Sequence, residues 1–169
     1  MRNEEFKNLI FYEIYPTSFY DSNNDGIGDL IGITQKLDYV KETGFNAIWL
    51  NPFYVSPFKD GGYDVKDFFD VDPKFGTLKD FDNLLQKAHE LGIKIIIDLV
   101  AGHASEENLE FLKSAEPKPN EYSDLFIWND NVWSWDNEYR VVTGRHNRCA
   151  SYMVNFFSFQ PAFNSYALV

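Results

Sequence analysis

Cysteine is nearly absent from this chain, and it has no long apolar run. Cys149 is the only cysteine, so no disulfide can form within the chain. No stretch reaches the roughly 18 apolar residues of a membrane-spanning helix. The polar start, followed by an apolar stretch that contains Glu13, lacks the layout of a signal peptide. These features predict a cytoplasmic protein.

Basic residues are also scarce. The chain has 15 Lys and Arg against 26 Asp and Glu, which gives a formal net charge of -11. Because phosphate groups are bound by clustered Lys and Arg, neither nucleic acid nor a membrane is expected as a partner. A neutral substrate or a metal cation is compatible with this charge. The hydrophobic fraction of 44% and the aromatic fraction of 18% indicate a globular protein.

Three β-rich segments at 9–15, 45–50 and 93–100 predict strands. The third is a nearly continuous apolar run, which suits a strand covered on both faces. The connections are long enough for parallel pairing, so an α/β fold is expected. Periodicity alone leaves open both a closed barrel and an open doubly wound sheet. No GxGxxG follows the first strand, which weakens a dinucleotide-binding interpretation.

Two helical patterns lie between these strands. Apolar residues recur at helical spacing over 30–40, and Thr77 is a suitable N-cap for the second helix. After Val100 the sequence becomes irregular and rich in Pro, Asn, Asp and aromatic residues. One short helix is predicted over 106–113, with a β-like piece at 140–143.

A loop rich in Gly, Asn and Asp follows the first strand, and it predicts a site for a hard cation such as Ca²⁺, which takes about six to eight oxygen ligands. Its spacing imitates an EF-hand loop, but Gly32 stands where an EF-hand requires Glu. The alternative is a polar turn whose Asx side chains bond their own backbone. Without a cation the clustered carboxylates would repel one another. The proposed ligands are Asp21, Asn23, Asp25, the carbonyl oxygen of Ile27, and Asp29.

Asp60-Gly-Gly-Tyr63-Asp64 lies in a long loop that follows the second strand and runs to about Gly76. In a barrel, loops at this end of the strands form the catalytic face. An aromatic ring can cover the apolar C–H face of a sugar, and a carboxylate can accept its hydroxyl hydrogens. The alternative is a surface turn with Tyr63 partly in the core, and the local sequence does not decide between them.

Asp98 and His103 lie near the end of the third predicted strand. Asp98 sits within an apolar run, and a buried carboxylate needs a charged or hydrogen-bonding partner. The nearby sequence offers none, so a partner is expected later in the chain. His103 could donate to a substrate hydroxyl, whereas a structural role is the alternative for a lone histidine.

Taken together, these segments resemble the α-amylase family of glycoside hydrolases, in its oligo-1,6-glucosidase and α-glucosidase-like branch. The resemblance implies a (β/α)8 TIM barrel, with its N-terminal part at 1–100, an inserted subdomain at 101–164, and a truncated return to the barrel at 165–169. The matching segments, in family order, are Phe11 to Pro16, Asp21 to Asp29, Gly62 to Asp64, Asp98 to His103, and Gln160 to Asn164.

The resemblance further implies a retaining glycoside hydrolase that cleaves α-glucosidic bonds in short α-glucans, with an α-linked gluco-oligosaccharide as ligand. Tyr63 would stack on the sugar, Asp64 and His103 would bond its hydroxyls, and Asp98 would support the site. The loop at 21–29 resembles the metal site of the oligosaccharide-acting branches. The family's nucleophile and acid/base lie on later strands. The sequence is therefore expected to be an N-terminal portion that lacks the catalytic carboxylates and is inactive alone.

Two other functions stay open. One is a non-catalytic amylase-like protein used for carbohydrate binding or interaction, and the other is a calcium-binding module whose sugar contacts are incidental. The chain also departs from the family at Gly102, where many relatives have Asn. That departure puts in doubt the metal site that those relatives hold between barrel and insert.

Overall fold

A computed structural model of the chain describes residues 6–129, 140–143 and 147–165, with only the backbone at 140–143. The strands are β1 Phe11–Ile14, β2 Ala47–Leu50, β3 Tyr54–Val55, β4 Asp67–Val71, β5 Lys94–Ile97, β6 Trp128–Asn129, β7 Arg140–Thr143 and β8 Ser151–Val154. The helices are α1 Pro16–Phe19, α2 Leu30–Gln35, α3 Leu37–Glu42, α4 Leu78–Glu90 and α5 Leu109–Ser114.

The described residues form two compact units. The first unit consists of residues 6–53 and Phe69–Leu99, and the second of Tyr54–Phe68 and the described residues from Val100 onward. The second unit thus includes a segment that the sequence assigned to the barrel. The predicted division into 1–100, 101–164 and 165–169 stays a prediction, and residues 166–169 lie outside the described ranges.

A parallel sheet of order β1-β2-β5 forms the centre of the first unit. Phe11 lies opposite Ala47, which in turn lies opposite Lys94, so the three strands begin level with one another. Helices α2, α3 and α4 lie between these strands in sequence. The predicted β-α-β-α-β order and the parallel pairing are confirmed.

The helical pattern over 30–40 forms two short helices instead of the single helix that its spacing suggests. Lys36 separates them, with φ -101° and ψ 5°. The apolar face is nevertheless continuous, because four of its residues are fully buried: Leu30, Ile33, Leu37 and Val40. The break leaves the inward-facing pattern intact, which explains why periodicity did not reveal it.

Helix α4 begins as its sequence predicts. The Thr77 hydroxyl accepts the backbone N–H of Asp80 at 3.3 Å, and the Asp80 carboxylate accepts the backbone N–H of Thr77 at 2.9 Å. This reciprocal pair satisfies two donors at the helix start. Leu84 and Ala88 are fully buried on the inward face. The predicted N-cap is confirmed.

The second unit is built on aromatic packing. Its antiparallel sheet has the order β6-β8-β7, with Trp128 opposite Tyr152. Phe111 of α5 stacks on Trp128 with ring centroids 5.6 Å apart. Strands β3 and β4 pair with each other in the segment where the sequence predicted only a loop, and β4 spans the boundary between the two units. One buried cluster of this unit consists of Ala104, Phe111, Phe126, Tyr152 and Val154.

Within the described ranges, no helix combines the length and the apolar character needed to cross a bilayer. The cytoplasmic location stays a prediction.

Candidate functional site

In the second unit, the Asp64 side chain holds the preceding loop, residues 56–60, in place. Its carboxylate accepts hydrogen bonds from Ser56 Oγ at 3.0 Å and from the backbone N–H groups of Lys59 at 3.0 Å and Asp60 at 3.1 Å. The side chain is fully buried. A sugar hydroxyl would therefore have to displace protein donors to reach this carboxylate, and the predicted sugar contact of Asp64 stays a prediction.

Asp60 is the partly exposed carboxylate of the same loop. Gln160 Nε2 donates to Asp60 Oδ2 at 2.7 Å, and Gln160 Oε1 accepts the backbone N–H of Phe157 at 3.2 Å. Gln160 itself is fully buried. Sequence reasoning noted both segments but did not select Asp60 as a site residue, because its partner lies 100 positions away.

His103 is buried, and both of its ring nitrogens have partners. Nε2 lies 3.0 Å from the backbone oxygen of Tyr63, and Nδ1 lies 3.4 Å from Asn155 Nδ2. Burial lowers the pKa of His103, although the Tyr63 backbone and the carboxylates of Asp60 and Asp64 act in the opposite direction. The imidazole is therefore neutral at neutral pH and acts through hydrogen bonds.

Two aromatic residues lie beside this histidine in different ways. Tyr63 is partly buried against a cluster that includes Tyr54 and Val65, while its backbone oxygen contacts the imidazole. The ring of Phe156 meets His103 edge-on at 5.7 Å and is 63% exposed. Sequence reasoning missed Phe156, since it is one of several aromatic residues in an irregular segment.

The segment from Gln160 to Asn164 runs antiparallel to the chain at His103. Ala104 donates its backbone N–H to the Pro161 oxygen at 3.1 Å, and His103 forms a bridge with Ala162. This pairing joins two segments that the sequence analysis singled out separately. The second unit therefore holds a neutral imidazole, a partly exposed carboxylate and an exposed aromatic ring, which suit the hydroxyls and C–H faces of a sugar.

Asp98 belongs to the first unit. Trp49 Nε1 donates to Asp98 Oδ1 at 3.1 Å, so one partner comes from the earlier strand β2, while the expected partner in later chain stays a prediction. The parallel register explains this, because Leu50 lies opposite Ile97 and its oxygen accepts the Asp98 N–H at 3.1 Å. The supporting role of Asp98 stays a prediction.

The loop at 21–29, also in the first unit, folds around Asp21. Its Oδ1 accepts the backbone N–H groups of Asn23 at 3.1 Å and Asn24 at 2.7 Å, and its Oδ2 accepts that of Gly26 at 2.8 Å. The bond from Gly26 is the largest cause of a lowered pKa for Asp21. The carboxylate is therefore ionised at neutral pH.

Two other proposed ligands of the loop, Asp25 and Asp29, also accept hydrogen bonds from nearby backbone groups. Asp25 Oδ1 accepts the Ile27 N–H at 2.8 Å, and Asp29 Oδ1 accepts the Gly32 N–H at 2.6 Å at the start of α2. These are bonds of the Asx-turn alternative. Over the part of the chain that the structure describes, no three His, Cys, Asp or Glu side chains group to hold a metal. The ligand chemistry still fits a hard cation, because Asp21 Oδ2 and both carboxylate oxygens of Asp25 accept one hydrogen bond each and keep a further lone pair.

Comparison with known proteins identifies the family. Residues 13–165 match the family model Alpha-amylase, described as the alpha amylase catalytic domain. The chain belongs to the α-amylase family. The resemblance inferred from the sequence is thereby confirmed.

Among α-amylase family relatives, Maltase 1 of Drosophila virilis is 52% identical over 136 residues, which are 80% of this chain and 21% of the relative. Oligo-1,6-glucosidase of Heyndrickxia coagulans is 43% identical over 176 residues, with 95% of this chain and 30% of the relative covered. The chain thus spans less than a third of the length of these relatives.

Solved structures of the family agree with the fold. Trehalose-6-phosphate hydrolase of Bacillus licheniformis matches with a TM-score of 0.85 at 38% identity, covering 94% of this chain and 30% of the other. Trehalulose synthase MutB of Pseudomonas mesoacidophila MX-45 matches with a TM-score of 0.88 at 37% identity, covering 95% and 30%. The predicted fold class, part of an α/β barrel of the TIM type, is confirmed.

Proposed function

We propose that this chain is the substrate-positioning N-terminal part of a retaining glycoside hydrolase that acts on α-glucosidic bonds of short α-glucans. The observation that carries the proposal is the neutral, buried His103 beside the partly exposed Asp60, in a chain of the α-amylase family. Such a pair offers a fixed hydrogen-bond donor and an acceptor to neighbouring sugar hydroxyls.

The roles follow from the exposure of each group. Asp60 accepts sugar hydroxyl hydrogens, His103 shares its Nε2 hydrogen between the Tyr63 oxygen and a sugar hydroxyl, and Tyr63 and the exposed Phe156 cover the C–H faces. Asp64 acts chiefly by holding the loop, because its carboxylate is fully buried and already accepts several donors. None of the described residues is proposed as nucleophile or general acid.

An α-linked gluco-oligosaccharide is the proposed ligand. Names of similar proteins support this class, since they include a maltase and an oligo-1,6-glucosidase. Two MutB variants were solved in complex with the substrate sucrose and with glucose. A net charge of -11 suits a neutral ligand of this kind.

We also propose that the loop at 21–29 binds a structural Ca²⁺. Asp21, Asn23, Asp25, the Ile27 oxygen and Asp29 would supply the oxygen ligands. The lowered pKa of Asp21 supports the proposal, because an ionised carboxylate is what a hard cation requires. Calorimetric titration with Ca²⁺ tests it.

The reaction is tested with the longest protein that the open reading frame around this chain encodes. We expect hydrolysis of maltose and of nitrophenyl α-glucoside, with the α anomer released first, and no hydrolysis of cellobiose or the β-glucoside. Release of the β anomer first, or equal activity on the β-linked substrates, would contradict the proposal. Binding of maltose without hydrolysis would support the non-catalytic carbohydrate-binding alternative instead.

A further inference from the structure

Gly102 and Asn155 fit together beside His103. A Cβ atom at position 102 would lie 2.9 Å from Asn155 Nδ2, closer than real Cβ contacts allow. That amide nitrogen donates to the Gly102 oxygen at 2.8 Å. The Asn155 amide therefore occupies the space that a side chain at 102 would need. Its orientation is set, because a carbonyl oxygen can only accept a hydrogen bond.

The same amide determines where His103 carries its proton. Asn155 Nδ2 can only donate, so Nδ1 of His103, 3.4 Å away, has to be the accepting nitrogen. The Tyr63 oxygen, 3.0 Å from Nε2, can only accept, so Nε2 carries the hydrogen. Two partners on opposite sides of the ring thus require the same tautomer.

We propose that Asn155 is a positioning residue, which holds His103 in the Nε2–H tautomer and in the ring orientation that ties it to the Tyr63 backbone. Its importance for sugar binding rests on the proposed function, whereas the tautomer does not. Without the amide donor, only the Tyr63 oxygen still favours the Nε2–H form, so the Nδ1–H form becomes more populated. In the Nδ1–H form an unprotonated Nε2 faces the Tyr63 oxygen, and two acceptors repel each other, so the ring is held less firmly.

The turn that carries Asn155 also holds the second polar group of the site. Asn155 donates its backbone N–H to the Gln160 oxygen at 3.3 Å, and the Gln160 side chain donates to Asp60 at 2.7 Å. One short segment therefore positions both the imidazole and the carboxylate.

Nitrogen NMR of the full-length protein with labelled histidine tests the proposal, because protonated and unprotonated ring nitrogens have well-separated shifts. His103→Gln in the same protein assigns the relevant signals by their loss. We expect an unprotonated Nδ1 and a protonated Nε2 in the wild type. In Asn155→Ala, the signals should move part of the way toward the average of exchanging tautomers, because the Tyr63 oxygen still favours the Nε2–H form.

Two further variants make this result specific. Gly102→Ala places a Cβ where the amide nitrogen lies, so it should shift the His103 signals in the same direction while Asn155 is retained. Asn164→Ala removes a comparable bond, from Nδ2 to the Asp124 oxygen at 3.0 Å, and should leave the signals unchanged. Should Asn155→Ala fail to fold, the wild-type and Gly102→Ala spectra decide.

A protonated Nδ1 in the wild type, or an unchanged His103 signature in Asn155→Ala and Gly102→Ala, would overturn the proposal. For the sugar, Asn155→Ala should weaken maltose affinity about two- to tenfold, the range that corresponds to one lost hydrogen bond. A shifted tautomer with unchanged affinity overturns the link to the sugar. A wild type that binds no sugar counts against the proposed function, while the tautomer result stands separately.

Discussion

Asp60 and Asp64 are four positions apart and have different surroundings. Asp64 is fully buried and accepts two backbone N–H groups and a hydroxyl, whereas Asp60 is partly exposed and accepts the amide of Gln160. The number of donors decides how costly it is to change each carboxylate, because a buried donor that loses its acceptor pays its full desolvation cost. We therefore expect a substitution of Asp64 to change mainly the stability of the protein, and a substitution of Asp60 to change mainly sugar binding.

We expect Asp64→Asn to lower the free energy of unfolding by about 1.5–3 kcal/mol, since one amide nitrogen would then face a backbone N–H donor. Asp60→Asn keeps an oxygen for the Gln160 amide and should change stability by less than about 0.5 kcal/mol. Urea unfolding of the two variants measures the difference. Equal losses, or a larger loss for Asp60→Asn, would contradict these assignments.

The sequence could indicate Tyr63, His103 and the 21–29 loop, because each has a recognisable residue type in a recognisable local pattern. It named Gln160 only as part of the segment at 160–164, and it could not indicate the contacts of Asn155 and Gln160 with partners 52 and 100 positions away. The sequence also could not show why position 102 is glycine, because the reason is the room that the missing side chain leaves for the Asn155 amide. Pairs joined only by folding have no local pattern to read.

Among the elements, those with strong local rules were predictable. Thr77 and Asp80 form the capping box, and the apolar β5 run pairs in parallel as expected. The β3–β4 pair was missed because its short strands lie in a mixed polar and aromatic stretch without alternation. The strand predicted at 93–100 is also longer than the observed β5, which ends at Ile97 although apolar residues continue after Asp98.

The loop at 21–29 is the element whose chemistry is tested most simply. We expect calorimetry to detect Ca²⁺ binding, and Asp25→Asn to weaken it at least about tenfold, because one ligand charge is lost. The new amide oxygen can still accept the Ile27 N–H, so the turn should persist. Asp82→Asn, on the exposed side of α4, removes the same charge elsewhere and should leave binding unchanged.

The effect of a chelator on the melting temperature tests the same cation site. An ion present at a hundred times its dissociation constant stabilises the folded state by about 2.7 kcal/mol, so a chelator should lower the Tm. No binding at millimolar Ca²⁺, or equal binding by the Asp25→Asn variant, would argue against the cation site and for a plain Asx turn.

For the whole molecule, the groups suited to a sugar belong to the second unit and the proposed cation loop belongs to the first. The chain is a member of the α-amylase family that spans less than a third of its relatives' length. The described residues supply positioning groups, and we propose that among them Asp60 and His103 bind the hydroxyls of an α-linked sugar.

Calorimetric titration of the full-length protein with maltose tests that claim most directly. We expect binding by the wild type, and affinities reduced about ten- to a hundredfold in His103→Gln and in Asp60→Asn, as one sugar hydrogen bond is lost in each. His89→Gln, on the exposed surface of α4, should bind like the wild type. Unchanged affinity in both site variants would contradict the account.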